Sequence, residues 1–145
     1  MLTTTRDVKE LDWPWPNFSP DEPVIACPCC GELWYDKDFF NKLQRLRDLM
    51  GRPLRVNSCH RCGIHNARVG GVPLSQHRKA AADVSTIGHD RFLLLECGIK
   101  AGFGSFGLYQ TFIHMDRRRG RLWFGGKRSE ALWSGARLQM ALALR

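Results

Sequence analysis

The sequence contains no run of about 18 consecutive apolar residues, the length from which a membrane-spanning helix is inferred. Its start, from Met1 to Trp13, lacks the apolar stretch of a secretory signal. Long low-complexity tracts and internal repeats are also absent, which excludes fibrous and repeat architectures. We therefore predict a chain without a membrane span and without classical export.

Acidic residues are scarce relative to basic ones. The 145 residues contain 14 Asp and Glu against 22 Lys and Arg, which gives a net charge of +8. The length and a hydrophobic content of 43% suit a single domain, residues 1–145, with a packed core. The charge is compatible with a nucleic acid partner, an anionic envelope polymer or plain solubility. No nucleic-acid-binding signature surrounds the basic run from Arg117 to Arg128, so we expect no nucleic-acid partner.

The two ends of the chain differ in composition from the middle. Residues 1–26 are rich in tryptophan and proline, which disfavours regular helix and predicts an extended N-terminal arm across the domain. Residues 129–145 place apolar side chains on one side of a helix, which predicts a helical C-terminal tail. The alternation over residues 138–142 is also compatible with a strand.

The middle of the chain combines helical and strand patterns. Apolar residues at helical spacing predict one helix from Asp38 to Gly51 and another over Asp90–Lys100. A short strand is predicted at 53–58, before a loop that contains cysteine and histidine. Three further strands are separated by turn-like residues, which favours antiparallel pairing: Gly104–Tyr109, Thr111–Asp116 and Arg121–Phe124.

Three titratable features are candidates for a hydrolytic site: His77 with Asp83, His114 with Asp116, and Arg61 upstream of both. A hydrolytic zinc site needs three nitrogen or carboxylate ligands and one open position for water. His77, Asp83 and His114 would supply the three ligands. Asp116 and Arg61 have the chemistry expected of a base and of a substrate clamp.

Four blocks of residues follow one another over about residues 25–125 in the order seen in a known family. They are Ser58-Cys59-His60-Arg61-Cys62-Gly63-Ile64-His65-Asn66 with Val69-Gly70-Gly71, Ser75-Gln76-His77 with Ala82-Asp83, Gly104 to Tyr109, and Phe112-Ile113-His114-Met115-Asp116. These blocks resemble the zinc D-Ala-D-Ala carboxypeptidase family, and in particular its phage and prophage branch of murein peptidases.

The resemblance implies a hedgehog-like α+β fold, in which a small antiparallel sheet with flanking helices carries one zinc ion. It implies cleavage of an amide bond in the stem peptide or cross-link of bacterial peptidoglycan. The family pattern gives the metal-ligand roles to His77, Asp83 and His114. Arg61 would contact the substrate, and Ser75 would form a hydrogen bond with it.

The chain departs from the family pattern at two points. His77 and Asp83 are one residue closer than in the family, and no glycine lies between them. A shift of one residue in strand register would turn the carboxylate away, and His89 or Asp90 would then be the substitute ligand. Many relatives have an acid or a histidine just before the last ligand, where this chain has an apolar residue. Asp116 is therefore the predicted base.

The six cysteines include two Cys-x-x-Cys pairs, Cys27 with Cys30 and Cys59 with Cys62. Two such pairs are typical of a structural zinc site, which would add a second Zn²⁺ to the catalytic one. Disulfides between the same segments and reduced packing thiols are the alternatives. Cys97 lies on the apolar face of a predicted helix, so we expect it to be a packing thiol.

We therefore expect a zinc-dependent peptidoglycan peptidase, either a carboxypeptidase or an endopeptidase, encoded by a phage. It would be an endolysin that stays in the host cytoplasm until its release to the periplasm, or a virion component in contact with phage tail proteins. The rival interpretation is a non-catalytic relative that binds cell wall or acts as a phage structural module and keeps only the cysteine site. A zinc-ribbon nucleic-acid binder, built on the cysteine pairs and the arginine run, is a third alternative.

Overall fold

Five α-helices and seven strands occur along the chain, and the computed structural model describes all residues 1–145. The helices are α1 (Lys37–Met50), α2 (Gly63–Arg68), α3 (Arg91–Ala101), α4 (Lys127–Trp133) and α5 (Ala136–Leu142). The strands are β1 (Leu2–Thr4), β2 (Glu32–Trp34), β3 (Val56–Ser58), β4 (Ala81–Ser85), β5 (Ser105–Leu108), β6 (Phe112–Asp116) and β7 (Arg121–Phe124). The predicted α+β fold with flanking helices is confirmed. No helix combines the length and the apolar composition needed to cross a membrane.

The two longest helices, α1 and α3, begin and end at residues that favour helix boundaries. The carboxylate of Asp36 accepts a hydrogen bond from the first turn of α1, and that of Asp90 accepts two from the first turn of α3. Gly51 and Gly102 end the helices with φ of 63° and 107°, in the left-handed region where a side chain would be strained. Both predicted helices are therefore confirmed, and their ends follow from local chemistry.

A five-stranded sheet in the order β3-β4-β6-β5-β7 forms the centre of the molecule. The β3–β4, β4–β6 and β5–β6 pairs are antiparallel, whereas β5 and β7 are parallel. The expected antiparallel pairing is right for β5 with β6 and wrong for β7. Both edges of β6 are occupied, so β7 takes the free edge of β5. Since a short turn makes β7 run opposite to β6, it runs parallel to β5.

Alternation along the strands divides the sheet into two faces. On one face, apolar side chains of β4, β5 and β6 join the core, and α1 and α3 pack against each other within that core. The members of this apolar layer are Ala82, Val84, Phe106, Leu108, Ile113 and Met115. The opposite face is free to carry polar side chains, because the helices already cover the apolar one.

The N-terminal arm is not extended throughout. It begins with β1, which pairs antiparallel with β2, and continues into a short 3₁₀ helix at Asp7–Glu10. Farther along, Trp15 is 2% exposed and its indole N–H donates to the side chain of Asn41 on α1. The tryptophans of the arm thus pack against the helical layer.

The C-terminal tail forms two short helices rather than one. Ser134 is extended and Gly135 has φ of 134°, and together they separate α4 from α5. Trp133, at the end of α4, is fully buried and its indole N–H donates to the backbone carbonyl of Tyr109. The alternative of a strand over residues 138–142 is wrong, because α5 occupies them.

Candidate metal centre and active-site cleft

Strand register places a row of residues across the sheet face opposite the core. Asp83 of β4 lies opposite His114 of β6, which lies opposite Gly107 of β5, which in turn pairs with Trp123 of β7. Residues opposite one another in paired strands point to the same face, so the carboxylate and the imidazole become neighbours. The short spacing between His77 and Asp83 therefore does not turn Asp83 away.

His77 reaches this row from a loop. It lies in a short 3₁₀ helix, Gln76–Arg78, whose first turn is capped by the Ser75 hydroxyl accepting from the His77 N–H at 3.2 Å. The His77 ring donates from Nδ1 to the backbone carbonyl of Cys59 at 2.6 Å. This hydrogen bond leaves Nε2 without a proton in the neutral ring and directs its lone pair to the row.

The three expected ligands meet at one point. His77 Nε2 lies 3.0 Å from Asp83 Oδ1 and 3.1 Å from His114 Nδ1, and His114 Nδ1 lies 3.0 Å from Asp83 Oδ1. Around a tetrahedral zinc ion, nitrogen and oxygen ligands at about 2.0–2.2 Å would be roughly 3.3–3.6 Å apart, slightly wider than the distances here. Two imidazoles and one carboxylate are also a donor set that zinc prefers. The residues present therefore fit a zinc ion.

The electrostatics of this triad of His77, Asp83 and His114 favour a cation. Burial opposes ionisation of Asp83, but the neighbouring His114 and His77 rings outweigh it and hold its pKa well below the usual range. Burial also opposes a charge on His114, but its hydrogen bonds to Asp116 and Asp83 raise its pKa. The two carboxylates thus create a site where positive charge is stabilised.

Asp116 lies behind His114 rather than at the cleft. Its Oδ2 accepts from His114 Nε2 at 2.8 Å, and Arg118 donates to both of its oxygens at 2.7 and 2.9 Å. The side chain is fully buried and does not line the cleft. The prediction that Asp116 is the base does not fit this geometry, because the imidazole ring separates its carboxylate from the other two ligands.

A cleft of about 540 Å³ opens over the triad. Arg61 and Ser75, the two residues predicted to contact a substrate, both line it. The Arg61 backbone N–H donates to the carbonyl of His77 at 2.6 Å, while its side-chain Nε is buried without a hydrogen-bond partner. Burial lowers the pKa of the Arg61 guanidinium, and the nearby charge of Asp83 partly offsets this. The substitute ligands His89 and Asp90 are not in the cleft.

Sequence reasoning missed the aromatic wall of the cleft, which is formed by Tyr109, Phe112 and Trp123. It also missed Arg118, which pairs with the carboxylate of Asp116. Tyr109 stacks on Phe112 at 4.4 Å between ring centroids, and Trp123 Nε1 donates to the Tyr109 hydroxyl at 3.2 Å. Alternation along β7 places Trp123 on the opposite face from its apolar neighbours Leu122 and Phe124. Which of the two faces looks onto the cleft could be assigned only once the pairing of β7 with β5 was known.

The cysteines group differently from their expected pairs. The sulfur atoms of Cys27, Cys29, Cys30 and Cys62 all lie within 4.8 Å of one another, whereas Cys59 is outside the group. Cys59 directs its side chain into the apolar core and its carbonyl to His77. The structure therefore does not bring Cys59 together with Cys27, Cys30 and Cys62, and it places Cys29 beside them instead. All six cysteines are unpaired thiols.

Comparison with known proteins identifies the family. The family model described as Peptidase M15 matches residues 20–116, about two thirds of the chain. The matched span contains Arg61, Ser75 and all three members of the triad. No curated protein matches the chain. Because the match covers more than half of the residues and agrees with an α+β sheet that carries a His/Asp triad, the chain belongs to the peptidase M15 family of metallopeptidases.

Proposed function

We propose that this protein is a zinc-dependent peptidase that hydrolyses an amide bond in the stem peptide or cross-link of bacterial peptidoglycan. The observation that carries the proposal is the convergence of His77 Nε2, Asp83 Oδ1 and His114 Nδ1 at the base of an open cleft. Membership of the peptidase M15 family supports the reaction class.

His77, Asp83 and His114 are the residues that would hold the zinc ion. When bound there, zinc supplies Lewis-acid activation of water and of the scissile carbonyl. The chain's own contribution is to fix the ligands, since Cys59 sets the tautomer of His77 and Asp116 sets that of His114. Asp116 is thus a positioning residue.

The cleft also supplies positive charge for an anionic substrate. Arg118 is neutralised by Asp116, whereas the Arg61 side chain lines the cleft and forms no ion pair. Stem peptides carry carboxylates, and an arginine binds a carboxylate or a polarised carbonyl through charge-assisted hydrogen bonds. Ser75 at the same wall offers a hydroxyl to the peptide backbone.

The resemblance of the motif blocks to phage and prophage enzymes supports a role as an endolysin or a tail-associated enzyme. In either role, the enzyme would meet its substrate in the periplasm.

The decisive experiment measures zinc content and murein hydrolysis on the same samples of wild type, His77→Ala and His114→Ala. Each variant is expected to lose one equivalent of zinc and essentially all activity, because a ligand of the triad is removed. His89→Ala is the matched control, since His89 lies outside the cleft, and it should keep both.

Normal zinc content and normal murein hydrolysis in either triad variant would overturn the proposal. A wild-type protein that binds zinc in the triad but hydrolyses no murein would instead support the non-catalytic, wall-binding relative.

A further inference from the structure

Four cysteine sulfurs form a second cluster, separate from the cleft. Cys27, Cys29, Cys30 and Cys62 place their Sγ atoms within 4.8 Å of one another, with Cys29 and Cys62 at 3.5 Å. Thiolates at about 2.3 Å from a tetrahedral zinc ion would lie roughly 3.8 Å apart. The observed spacing brackets this value.

A tight turn brings three of the sulfurs together. The backbone N–H groups of Cys30 and Gly31 both donate to the carbonyl of Cys27, at 3.3 and 2.8 Å. Gly31 has φ of 75°, so this position favours glycine. The turn holds the side chains of Cys27, Cys29 and Cys30 on the side that faces Cys62.

The fourth sulfur is held in place at the start of α2. Cys62 precedes α2, and its Sγ accepts a hydrogen bond from the backbone N–H of His65 at 3.4 Å. This hydrogen bond fixes the Cys62 Sγ on the side of the turn, where it lies 3.5 Å from the Sγ of Cys29.

We propose that Cys27, Cys29, Cys30 and Cys62 bind a structural zinc ion, distinct from the metal of the triad. Four protein sulfurs complete a tetrahedral shell and leave no open position, so this site binds metal without taking part in hydrolysis. Its metal-bound form joins the turn after the N-terminal arm to the loop that follows β3.

The cysteine cluster lies next to a residue that lines the cleft, so metal binding at the cluster would affect the cleft. Arg61 precedes Cys62 directly, and its backbone N–H is bonded to His77. Zinc at the cysteines would fix the loop from its other side and so position the Arg61 guanidinium. This consequence rests on the proposed function, whereas metal binding itself does not.

The test counts metal ions and identifies their ligands in protein prepared without oxygen and with a non-chelating reductant. Wild type is expected to hold two zinc ions, and His77→Ala and Cys62→Ser one each. Cys97→Ser is the matched control, because Cys97 is also a buried free thiol but lies outside both metal-ligand groups, and it should keep two.

A measurement with all cysteines intact guards against variants that fail to fold. When cobalt replaces zinc in His77→Ala, the remaining ion should show the intense sulfur-to-cobalt charge-transfer absorption of a thiolate site. Absence of that absorption from His77→Ala would overturn the proposal.

The outcomes separate this proposal from the proposed function. A single zinc that is lost in His77→Ala and retained in Cys62→Ser disproves the cysteine site and leaves the peptidase intact. A single zinc lost only in Cys62→Ser, with no murein hydrolysis, supports the cysteine site and disproves the peptidase. A Cys29–Cys62 disulfide that persists under the reductant would also disprove the cysteine site.

Discussion

At the residue scale, the chemistry of the triad depends on side chains that do not themselves face the cleft. Asp116 is fully buried, and its charge is matched by Arg118 on one side and His114 on the other. Burial alone would raise its pKa, but these hydrogen bonds outweigh burial and hold the pKa of Asp116 well below the usual range. An ionised Asp116 makes His114 a stronger donor of electron density to a metal.

Replacing Asp116 by asparagine tests this positioning role. The Asp116→Asn variant is expected to bind zinc in the triad about 10- to 100-fold more weakly, because an amide carries no charge to match the imidazole. Competition with a chromophoric chelator measures the affinity. Asp21→Asn, at an exposed site, is the control and should leave the affinity unchanged. An unchanged affinity in Asp116→Asn would mean that the hydrogen bond alone is sufficient.

Arg61 can be tested independently of the metal. Arg61→Ala removes a charge-assisted hydrogen bond worth about 1.5–3 kcal/mol, so kcat/KM on murein peptides should fall roughly 10- to 150-fold. Zinc content should stay at the wild-type value, since Arg61 is not in the triad. Arg68→Ala, at an exposed arginine nine residues before His77, serves as the control. A variant that keeps wild-type kcat/KM would remove Arg61 from the substrate site.

At the element scale, the site is carried by paired strands that helices connect and cover. Helix α3 packs against both α1 and α5. It connects β4, which carries Asp83, to β5, which pairs with the β6 strand that carries His114. Its start depends on Asp90, whose Oδ1 accepts from the backbone N–H groups of Phe92 and Leu93 at 3.0 and 3.2 Å. Asp90, considered from sequence as a substitute metal ligand, is therefore a helix cap.

Removal of this cap should lower stability without changing the site. Asp90→Ala is expected to reduce the free energy of unfolding by about 1 kcal/mol, because two backbone donors lose their acceptor. Urea denaturation measures the change. Asp90→Asn keeps an equivalent cap and should lose much less. Equal losses in both variants would assign the effect to the ion pair with Arg137 instead.

At the scale of the whole molecule, the charge of +8 acts on the approach of an anionic substrate. Arg61 lines the cleft, so part of that charge lies where the substrate enters. A field of one sign over a cleft increases the local concentration of an oppositely charged ligand, and salt screens it.

The rate of murein hydrolysis should therefore depend on ionic strength. Between low and high salt, kcat/KM for peptidoglycan fragments with free carboxylates is expected to fall about tenfold. The same fragments with amidated carboxylates are the control and should show little change. Equal salt dependence for both substrates would show that salt acts on the protein itself and not on the attraction between the cleft and the substrate carboxylates.

The sequence by itself determined the features that depend on local chemistry. Asp36, Asp90 and the glycines at 51 and 102 set the ends of α1 and α3, because capping and left-handed conformations involve only a few neighbouring residues. The residues of the triad were also recognisable from the sequence. Their chemistry and their order along the chain match the family, although His77 and Asp83 are one residue closer than in the family pattern.

Tertiary structure decided whatever depends on which side of an element a side chain occupies. Asp116 follows His114 by two residues, yet only the sheet shows that it binds the far side of the imidazole. Cys59 and Cys62 share one motif, but the Cys59 side chain packs in the core, whereas the Cys62 side chain lies beside the turn at Cys27. Strand β7 pairs in parallel with β5 because both edges of β6 are already occupied. Such outcomes depend on long-range contacts, which no local pattern encodes.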